Sequence, residues 1–367
     1  MIKSFKVKNY KGFKEEISLD FSDYKDYKYN THVIRDGLIK TAVIYGRNAS
    51  GKSNFGLALF DLTIHLVDKE QFQPQHVNYL NADSDLDRAF FEYVMVIDGR
   101  EIKYAYQKTD SKTLLYEELY MDSKKVFSYN FQRQKGDFAD MGLVDAVTLD
   151  IPNKEMHISV VRFIANNANL GKQAILRKFM DFVSNMLWYR SLGFNQFIGY
   201  TKGGELLMES IIKNGKLDDF QQYLKSMGIS FDLQIATDPM GSRFIAAKFK
   251  QKLLPFLEIA SSGTLVLTLH YFWSQRFRDV SFLFVDEFDA FYHADLAERI
   301  LTHVASKSHF QSIFTTHNTS LMSNQLLRPD CYFIMSEGKL NALPDCTERE
   351  LREGHNLEKM FRNGEFI

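Results

Sequence analysis

The sequence predicts an α/β fold with a mixed, mostly parallel sheet, and three observations support this. An apolar β run at residues 41–45 leads through a glycine-containing loop into a helical pattern at 53–67. From residue 263 onward, apolar strands alternate with helices, which is typical of a parallel sheet covered on both faces. Between these segments, residues 88–150 read as an antiparallel β subdomain with a hairpin signal in DGRE. We therefore expect one α/β core interrupted by inserted material.

Hydrophobic periodicity and turn residues then predict the individual elements in order. The expected strands are residues 2–10, 17–21, 41–45, 90–97, 102–107, 231–237, 243–249, 282–287, 311–317 and 331–337. The expected helices are 53–67, a section within 170–227 whose longest candidate is 171–190, and 265–276, 291–306 and 319–327. We expect three regions: an N-terminal part of the core at 1–165, a short inserted helical lobe at 166–230, and a C-terminal part at 231–367.

Composition narrows the class of protein. The 367 residues are 45% hydrophobic and 25% charged, the ordinary balance of a globular protein with a sizeable core. The net charge of −1 gives no general attraction to nucleic acid. Two cysteines make no disulfide framework, and no apolar run has the length of a signal peptide or membrane span. We expect a cytoplasmic protein that has no membrane partner.

A phosphate-binding loop is predicted at residues 46–53, GRNASGKS, which match the pattern G-x-x-x-x-G-K-[S/T]. The glycines let backbone N–H groups face a phosphate, and the following helix start adds partial positive charge. Lys52 would reach the β- and γ-phosphates, and Ser53 would offer its hydroxyl to Mg²⁺. For Arg47, a solvated loop charge is an equal alternative. The expected nucleotide contacts are Gly46, Arg47, Asn48, Ala49, Ser50, Gly51, Lys52, Ser53 and Asn54.

Two carboxylates end the apolar strand FLFVDE at residues 282–287. The carboxyl ends of parallel strands are where α/β sheets bind ligands. Asp286 would hold the Mg²⁺ shell, and Glu287 would orient or deprotonate an attacking water. The alternative is a strand that ends in a solvated acidic turn.

Two further polar positions fit the same site. The strand IFTTH ends at His317, which would sense or polarise the γ-phosphate, although a hydrogen-bonded structural histidine is the alternative. The segment ASSGT precedes a helix, so Ser261 and the N–H groups around Gly263 would form a second anion-binding helix start. There the alternative is a plain N-cap.

The segments YGRNASGKSN, SSGT, FLFVDEFDAFYH and FTTHN occur in this order. Together they resemble the ABC-type ATPases of the SMC/RecF/OLD branch. Within that branch the resemblance is closest to ATP-binding proteins of bacterial defence systems, such as RloA and the AriA subunit of PARIS. The motifs cover both ends of the chain, and the middle matches loosely. The resemblance implies an ABC-type ATPase head.

This resemblance implies two heads that sandwich two ATP molecules with Mg²⁺. Each site would combine two sets of residues: Lys52, Ser53, Asp286, Glu287 and His317 of one chain with Ser261 and Gly263 of the other. Two positions depart from the usual signature, since Ala260 replaces a leucine and Ser262 a glycine. The glutamine-containing loop of the family stays open between Gln71, Gln73, Gln75 and the run at 166–169.

The expected function is an ATPase that assembles on ATP into at least a homodimer and controls a partner effector. If the resemblance to defence ATPases holds, that effector is a separate protein such as a nuclease. DNA is a possible ligand. One alternative is a RecF-like DNA repair ATPase; another is a nucleotide-gated scaffold with little hydrolysis. The longest helix candidate, about 20 residues or roughly 30 Å, is too short for the long coiled-coil arm of an SMC protein.

Overall fold

The computed structural model describes residues 1–68, 77–146, 158–171, 174–191, 196–199 and 207–366. Its strands are β1 Ile2–Lys8, β2 Ile17–Asp20, β3 Ile34–Arg35, β4 Leu38–Ile39, β5 Thr41–Tyr45, β6 Ala89–Ile97, β7 Arg100–Lys108, β8 Leu114–Met121, β9 Lys124–Asn130, β10 Lys135–Phe138, β11 Met186–Arg190, β12 Phe197–Gly199, β13 Leu233–Thr237, β14 Arg243–Lys248, β15 Leu253–Pro255, β16 Phe282–Asp286, β17 Gln311–Thr316, β18 Tyr332–Ser336 and β19 Lys339–Ala342. Its α-helices are α1 Lys52–Leu59, α2 Leu62–Val67, α3 Val160–Asn167, α4 Ile175–Ser184, α5 Leu207–Lys213, α6 Leu217–Ser226, α7 Phe256–Ile259, α8 Ser262–Ser274, α9 Ala294–Lys307 and α10 Leu357–Arg362.

The sheet that carries the predicted motifs has the strand order β12-β11-β16-β17-β5-β18-β19. Neighbouring strands from β11 to β18 run parallel, and the edge strands β12 and β19 are antiparallel. Every residue of β5, β16 and β17 is buried, as expected for a parallel sheet covered on both faces. The predicted mixed, mostly parallel α/β sheet is confirmed. Its topology places the carboxyl ends of β11, β16, β17 and β5 side by side.

The second large sheet is antiparallel, with the order β10-β9-β8-β7-β6-β1-β2. Strands β6 and β7 alternate between buried and half-buried residues, because one face packs on the core. Asp98 and Gly99 both have positive φ at the turn between them, as the hairpin signal predicts. The antiparallel β subdomain is therefore confirmed. Helices α1 and α2 follow the phosphate loop and bury apolar residues in the core shared by both sheets.

A smaller apolar cluster lies beside this core. It joins helices α5 and α6 to the three-stranded sheet β13-β14-β15 and to one side of α8. Phe220, Phe256 and Tyr271 pack their rings together at its centre. Helix α8 thus contacts the small cluster while its N-terminus carries the SSGT segment. Within the described ranges, no helix combines the length and apolar character needed to cross a bilayer.

The structure corrects three helix predictions. The candidate helix 171–190 ends at Ser184, and residues 186–190 form the buried strand β11. An apolar run with no polar face fits a buried strand as well as a helix, so periodicity did not separate them. The predicted helix 319–327 is reduced to a 3-10 turn at Thr319–Leu321. Asn318 Oδ1 accepts from the Ser320 N–H, and Ser323 Oγ accepts from the Gln325 N–H. Such local hydrogen bonds compete with helix formation.

The predicted helix 53–67 is interrupted after Leu59, and α2 starts at Leu62. Asp61, between the two helices, is buried and pairs with Lys108 of the antiparallel sheet. This long-range pairing is not visible in local periodicity.

Candidate functional site

The loop after β5 combines a tightly packed glycine with two residues of positive φ. A Cβ atom at Gly46 would lie 2.4 Å from Ser50 Oγ and 2.9 Å from the Met335 carbonyl, so this position has room only for glycine. Gly51 has φ +106°, and Ala49 also has positive φ. Left-handed residues in such a loop turn successive N–H groups inward. Helix α1 starts directly afterwards at Lys52.

Lys52 is buried at the centre of the site. Its Nζ donates to the Gly46 carbonyl at 2.7 Å and to the Arg47 carbonyl at 3.1 Å. Burial lowers the pKa of Lys52, and the charges of Asp286, Glu287 and Asp289 oppose this shift. The carboxylates that end β16 therefore act on the lysine of the phosphate loop. The fold brings the two distant ends of the chain to one place.

Asp286 ends β16 and is fully buried. Its Oδ1 accepts a 2.8 Å hydrogen bond from Thr315 Oγ1, and its Oδ2 accepts a 3.0 Å bond from Arg190 Nε. Both carboxylate oxygens are thus held by residues at the ends of the two neighbouring strands.

Glu287 follows with φ +50°, a left-handed conformation that non-glycine residues rarely adopt. Its N–H donates to Thr315 Oγ1 at 2.8 Å. Its Oε2 is buried, lies 3.8 Å from Arg190 Nε and has no hydrogen-bond partner among the described residues. Such strained backbone is common where a side chain must be aimed at a ligand.

Arg190 was not predicted and is the main addition that the structure makes to the site. This last residue of β11 donates from Nη2 to Ser53 Oγ at 2.8 Å. One guanidinium therefore connects Ser53 to Asp286. An apolar run that ends in a charged residue is also how FLFVDE was recognised, but the helical interpretation of 171–190 hid that signal.

The segment after β17 adds a second polar connection. Thr316 Oγ1 donates to Asp289 Oδ2 at 2.8 Å and accepts from the Asn318 N–H at 2.8 Å. Burial raises the pKa of Asp289, whereas the Thr316 hydrogen bond and the charge of His317 lower it. His317 itself is exposed. The predicted switch histidine lies beside the acidic strand with its side chain open to solvent.

Ser261 and Gly263 lie at the N-terminus of α8. Ser261 is the N-cap, and its Oγ accepts from the Thr264 N–H at 3.2 Å. Ser261 and Ser262 are exposed. A Cβ at Gly263 would lie 2.8 Å from the Phe291 carbonyl. In the part of the chain that the structure describes, no hydrogen bond joins Ser261 or Gly263 to residues 46–54.

The glutamine-loop candidates gain no support. Gln71, Gln73 and Gln75 lie outside the described residues. In the run at 166–169, Asn167 Nδ2 donates to the Phe163 carbonyl within its own helix turn.

The residues present fit a magnesium nucleotide. A hydroxyl and a carboxylate are the hard oxygen ligands that Mg²⁺ takes in such sites, and Ser53 and Asp286 supply them. Ser50 Oγ and Glu287 Oε2 are buried polar atoms with no hydrogen-bond partner among the described residues. Hydrogen bonds join Lys52 to Gly46, and Ser53 through Arg190 to Asp286, so these residues lie within one cluster. Their donor and acceptor groups are of the kinds that bind phosphate and a divalent cation.

One segment of the chain matches a known family. Residues 183–323 match the family AAA_21, described as "AAA domain, putative AbiEii toxin, Type IV TA system". This segment contains Arg190, the SSGT segment and both polar strand ends, but not the phosphate loop. No curated protein matches the chain.

Three solved SMC head structures are similar in overall chain path. The SMC head domain from Thermotoga maritima is 16% identical with a TM-score of 0.44, covering 95% of this chain and 99% of that one. An Smc head bound to the C-winged helix domain of ScpA is 15% identical with a TM-score of 0.45, covering 94% and 98%. An Smc head with an extended coiled coil, bound to the C-terminal domain of ScpA and derived from Pyrococcus furiosus, is 13% identical with a TM-score of 0.44, covering 99% and 98%.

Proposed function

We propose that this chain is an ABC/SMC-like ATPase that binds ATP with Mg²⁺, assembles on ATP into at least a dimer, and hydrolyses the γ-phosphate bond. One observation carries the proposal: the fold joins the phosphate-loop residue Ser53 to Asp286 of β16 through a single side chain. These two residues are 233 positions apart in sequence, so their meeting is a property of the fold. The similarity of residues 183–323 to an AAA domain supports the same class.

The proposed chemistry follows from the positions of the side chains. The loop N–H groups and Lys52 would bind the β- and γ-phosphates, once Nζ leaves the loop carbonyls that it now contacts. Ser53 and Asp286 would hold Mg²⁺, which when bound neutralises charge on the phosphates. Glu287 would orient the attacking water and accept its proton, because its Oε2 is free of hydrogen bonds to described residues.

The most direct test replaces Glu287 by Gln. This change keeps the shape of the side chain but removes its capacity as a base. We expect ATP turnover to fall by about a hundredfold or more, while an ATP-bound oligomer accumulates in size-exclusion chromatography. The exposed Glu348→Gln serves as a matched control and should resemble the wild type. Unchanged turnover and assembly would count against the role given to Glu287.

The proposed sandwich uses Ser261 and Gly263 from the second copy. Exposure of Ser261 and Ser262 at the start of α8 leaves this helix N-terminus open for an anion held by another chain. The replacements at Ala260 and Ser262 weaken the resemblance to an active signature. A nucleotide-gated scaffold with little hydrolysis therefore stays as a second candidate, and single-turnover hydrolysis measurements separate the two.

A mixing experiment tests the shared site. Lys52→Met disables the phosphate loop of one chain, and Ser261→Arg blocks the helix start of the other. In a mixed dimer, one site receives both defects and the other receives neither. Each mixed dimer should thus regain about half of the wild-type turnover, if each site takes its two halves from different chains. No recovery in mixtures that do form mixed dimers would exclude the shared site.

We further propose that the ATPase controls an effector, such as a nuclease, in bacterial anti-phage defence. Support comes from the resemblance to defence ATPases and from the toxin named in the description of the AAA_21 family. The test is a phage challenge of cells that carry the gene with its native neighbours. Protection that survives Lys52→Met would contradict nucleotide control of the effector.

A further inference from the structure

We infer that Arg190 takes the place of the divalent cation before the magnesium nucleotide binds and must be displaced by it. The inference rests on the proposed function, because it assigns a role to a residue of that same site. It makes Arg190 a positioning residue that sets the metal dependence of nucleotide binding.

Arg190 contacts both of the proposed metal-binding groups. Arg190 Nη2 lies 2.8 Å from Ser53 Oγ, and Nε lies 3.0 Å from Asp286 Oδ2. These are the two oxygen groups that would hold Mg²⁺. Because the guanidinium places a positive charge against both oxygens, a divalent cation that binds both ligands would meet a like charge, so Arg190 must leave this position first.

Arg190 also supplies a counter-charge to a buried carboxylate. Asp286 is fully buried, and a buried carboxylate without a counter-charge is strongly unfavourable. Arg190 supplies that charge without any metal, and it contacts Ser53 and Asp286 at the same time. The phosphate loop and β16 are thus held together in the nucleotide-free protein.

The Arg190 guanidinium can leave this contact towards solvent. Its side chain is 27% exposed, whereas the Asp286 side chain is not exposed at all. Displacement therefore releases the arginine towards solvent, while the divalent cation would supply the charge opposite Asp286.

Competition of this kind lowers metal affinity. A divalent cation must break two hydrogen bonds to a charged group before it can bind both ligands. Removing the guanidinium should make the cation bind more tightly, although the nucleotide-free protein should become less stable. A residue that only recruits phosphate would have the opposite effect on metal binding.

The experiment measures Mn²⁺ binding by electron paramagnetic resonance in the presence of saturating ADP. We expect Arg190→Gln to lower the Kd for Mn²⁺ by about tenfold and to lower the nucleotide-free Tm. Addition of Mn²⁺ and ADP should raise the Tm of this variant more than that of the wild type. Arg278→Gln, which changes an exposed arginine paired with Asp279, is the matched control and should leave all three values unchanged.

Each outcome decides between the claims. An equal or higher Kd for Mn²⁺ in Arg190→Gln overturns the inference while nucleotide binding by the wild type keeps the proposed function intact. A wild type that binds neither ADP nor Mn²⁺ overturns the proposed function and the inference with it. Should Arg190→Gln fail to fold, Arg190→Lys keeps the charge but cannot span both acceptors. It should then bind Mn²⁺ more tightly than the wild type, and no gain would overturn the inference.

Discussion

Thr315 donates a 2.8 Å hydrogen bond to Asp286 Oδ1, and the same hydroxyl accepts a 2.8 Å bond from the Glu287 N–H. One threonine on β17 therefore fixes both the carboxylate and the left-handed turn that follows β16. Because these strands are parallel neighbours, the contact is set by their register. The polar end of β17 therefore positions Asp286 and Glu287, and His317 follows directly after the strand.

Replacing Thr315 by Val should destabilise the protein by about 1–3 kcal/mol, because a buried carboxylate oxygen and the Glu287 N–H lose their partner together. The shape of the side chain is kept, so the loss is polar. Chemical denaturation measures it, and turnover should fall as well because Glu287 is no longer held. The exposed Thr302→Val on α9 is the control and should change the free energy of unfolding little. Equal stability of the two variants would refute the assigned contact.

Gly46 lies in the predicted phosphate loop at a position that has no room for a side chain. In Gly46→Ala the new Cβ would lie 2.4 Å from Ser50 Oγ and 2.9 Å from a backbone carbonyl that cannot move easily. We expect the loop to distort and the affinity for a fluorescent ATP analogue to fall by about tenfold or more. At Gly354 no atom lies within 4 Å of a Cβ, so Gly354→Ala should bind the analogue like the wild type. Normal binding by Gly46→Ala would mean that phosphate does not enter this loop.

Local sequence patterns were sufficient to predict the strand, loop and helix around residues 46–53 and the strand that ends in Asp286. The strand, the glycine-containing loop and the helix start follow one another directly in residues 41–59, so their order needs no tertiary information. The acids at 286–287 needed one further assumption, that parallel strands end at the same edge of a sheet. The strand order confirms it.

Contacts between distant segments could not be predicted. Arg190 gains its role only because β11 pairs with β16, and a short apolar run does not reveal whether it becomes strand or helix. The interruption between α1 and α2 depends on the pairing of Asp61 with Lys108, 47 positions away. Both features depend on tertiary contacts, which override local preference.

The stability of the protein should fall on mild acidification. Burial lowers the pKa of His270 to about 4, and its Nδ1 lies 3.0 Å from the Tyr189 hydroxyl. The folded protein therefore binds fewer protons at this site than the unfolded chain, so this contribution is lost as pH falls from about 6.5 towards 4. The loss amounts to about 3 kcal/mol at most.

Denaturation of His270→Asn between pH 7 and 4.5 checks this contribution. The variant should show a shallower pH dependence than the wild type, although His65, whose pKa burial also lowers, keeps part of the slope. If His270→Asn retains the full wild-type slope, His270 is not the group that titrates.

Asp61 connects the end of the phosphate-loop helix α1 to the antiparallel sheet. Asp61 Oδ2 accepts from Lys108 Nζ at 2.7 Å and from the Tyr106 hydroxyl at 2.9 Å, and Oδ1 accepts from the Tyr79 hydroxyl. Both charged side chains are essentially inaccessible to solvent. Lys108→Met should therefore destabilise the protein by about 3–5 kcal/mol, because it leaves a buried carboxylate uncompensated.

Matched variants show whether this loss comes from the buried charge. The exposed pair of Lys125 and Asp137 gives the control Lys125→Met, which should cost about 0–1 kcal/mol. Adding Asp61→Asn to Lys108→Met removes the lone charge and should recover part of the stability, as measured by urea denaturation. If the double variant is as unstable as the sum of its parts, the loss reflects packing of the lysine stem. Recovery would identify the ion pair as the element that fixes the end of α1 against the sheet.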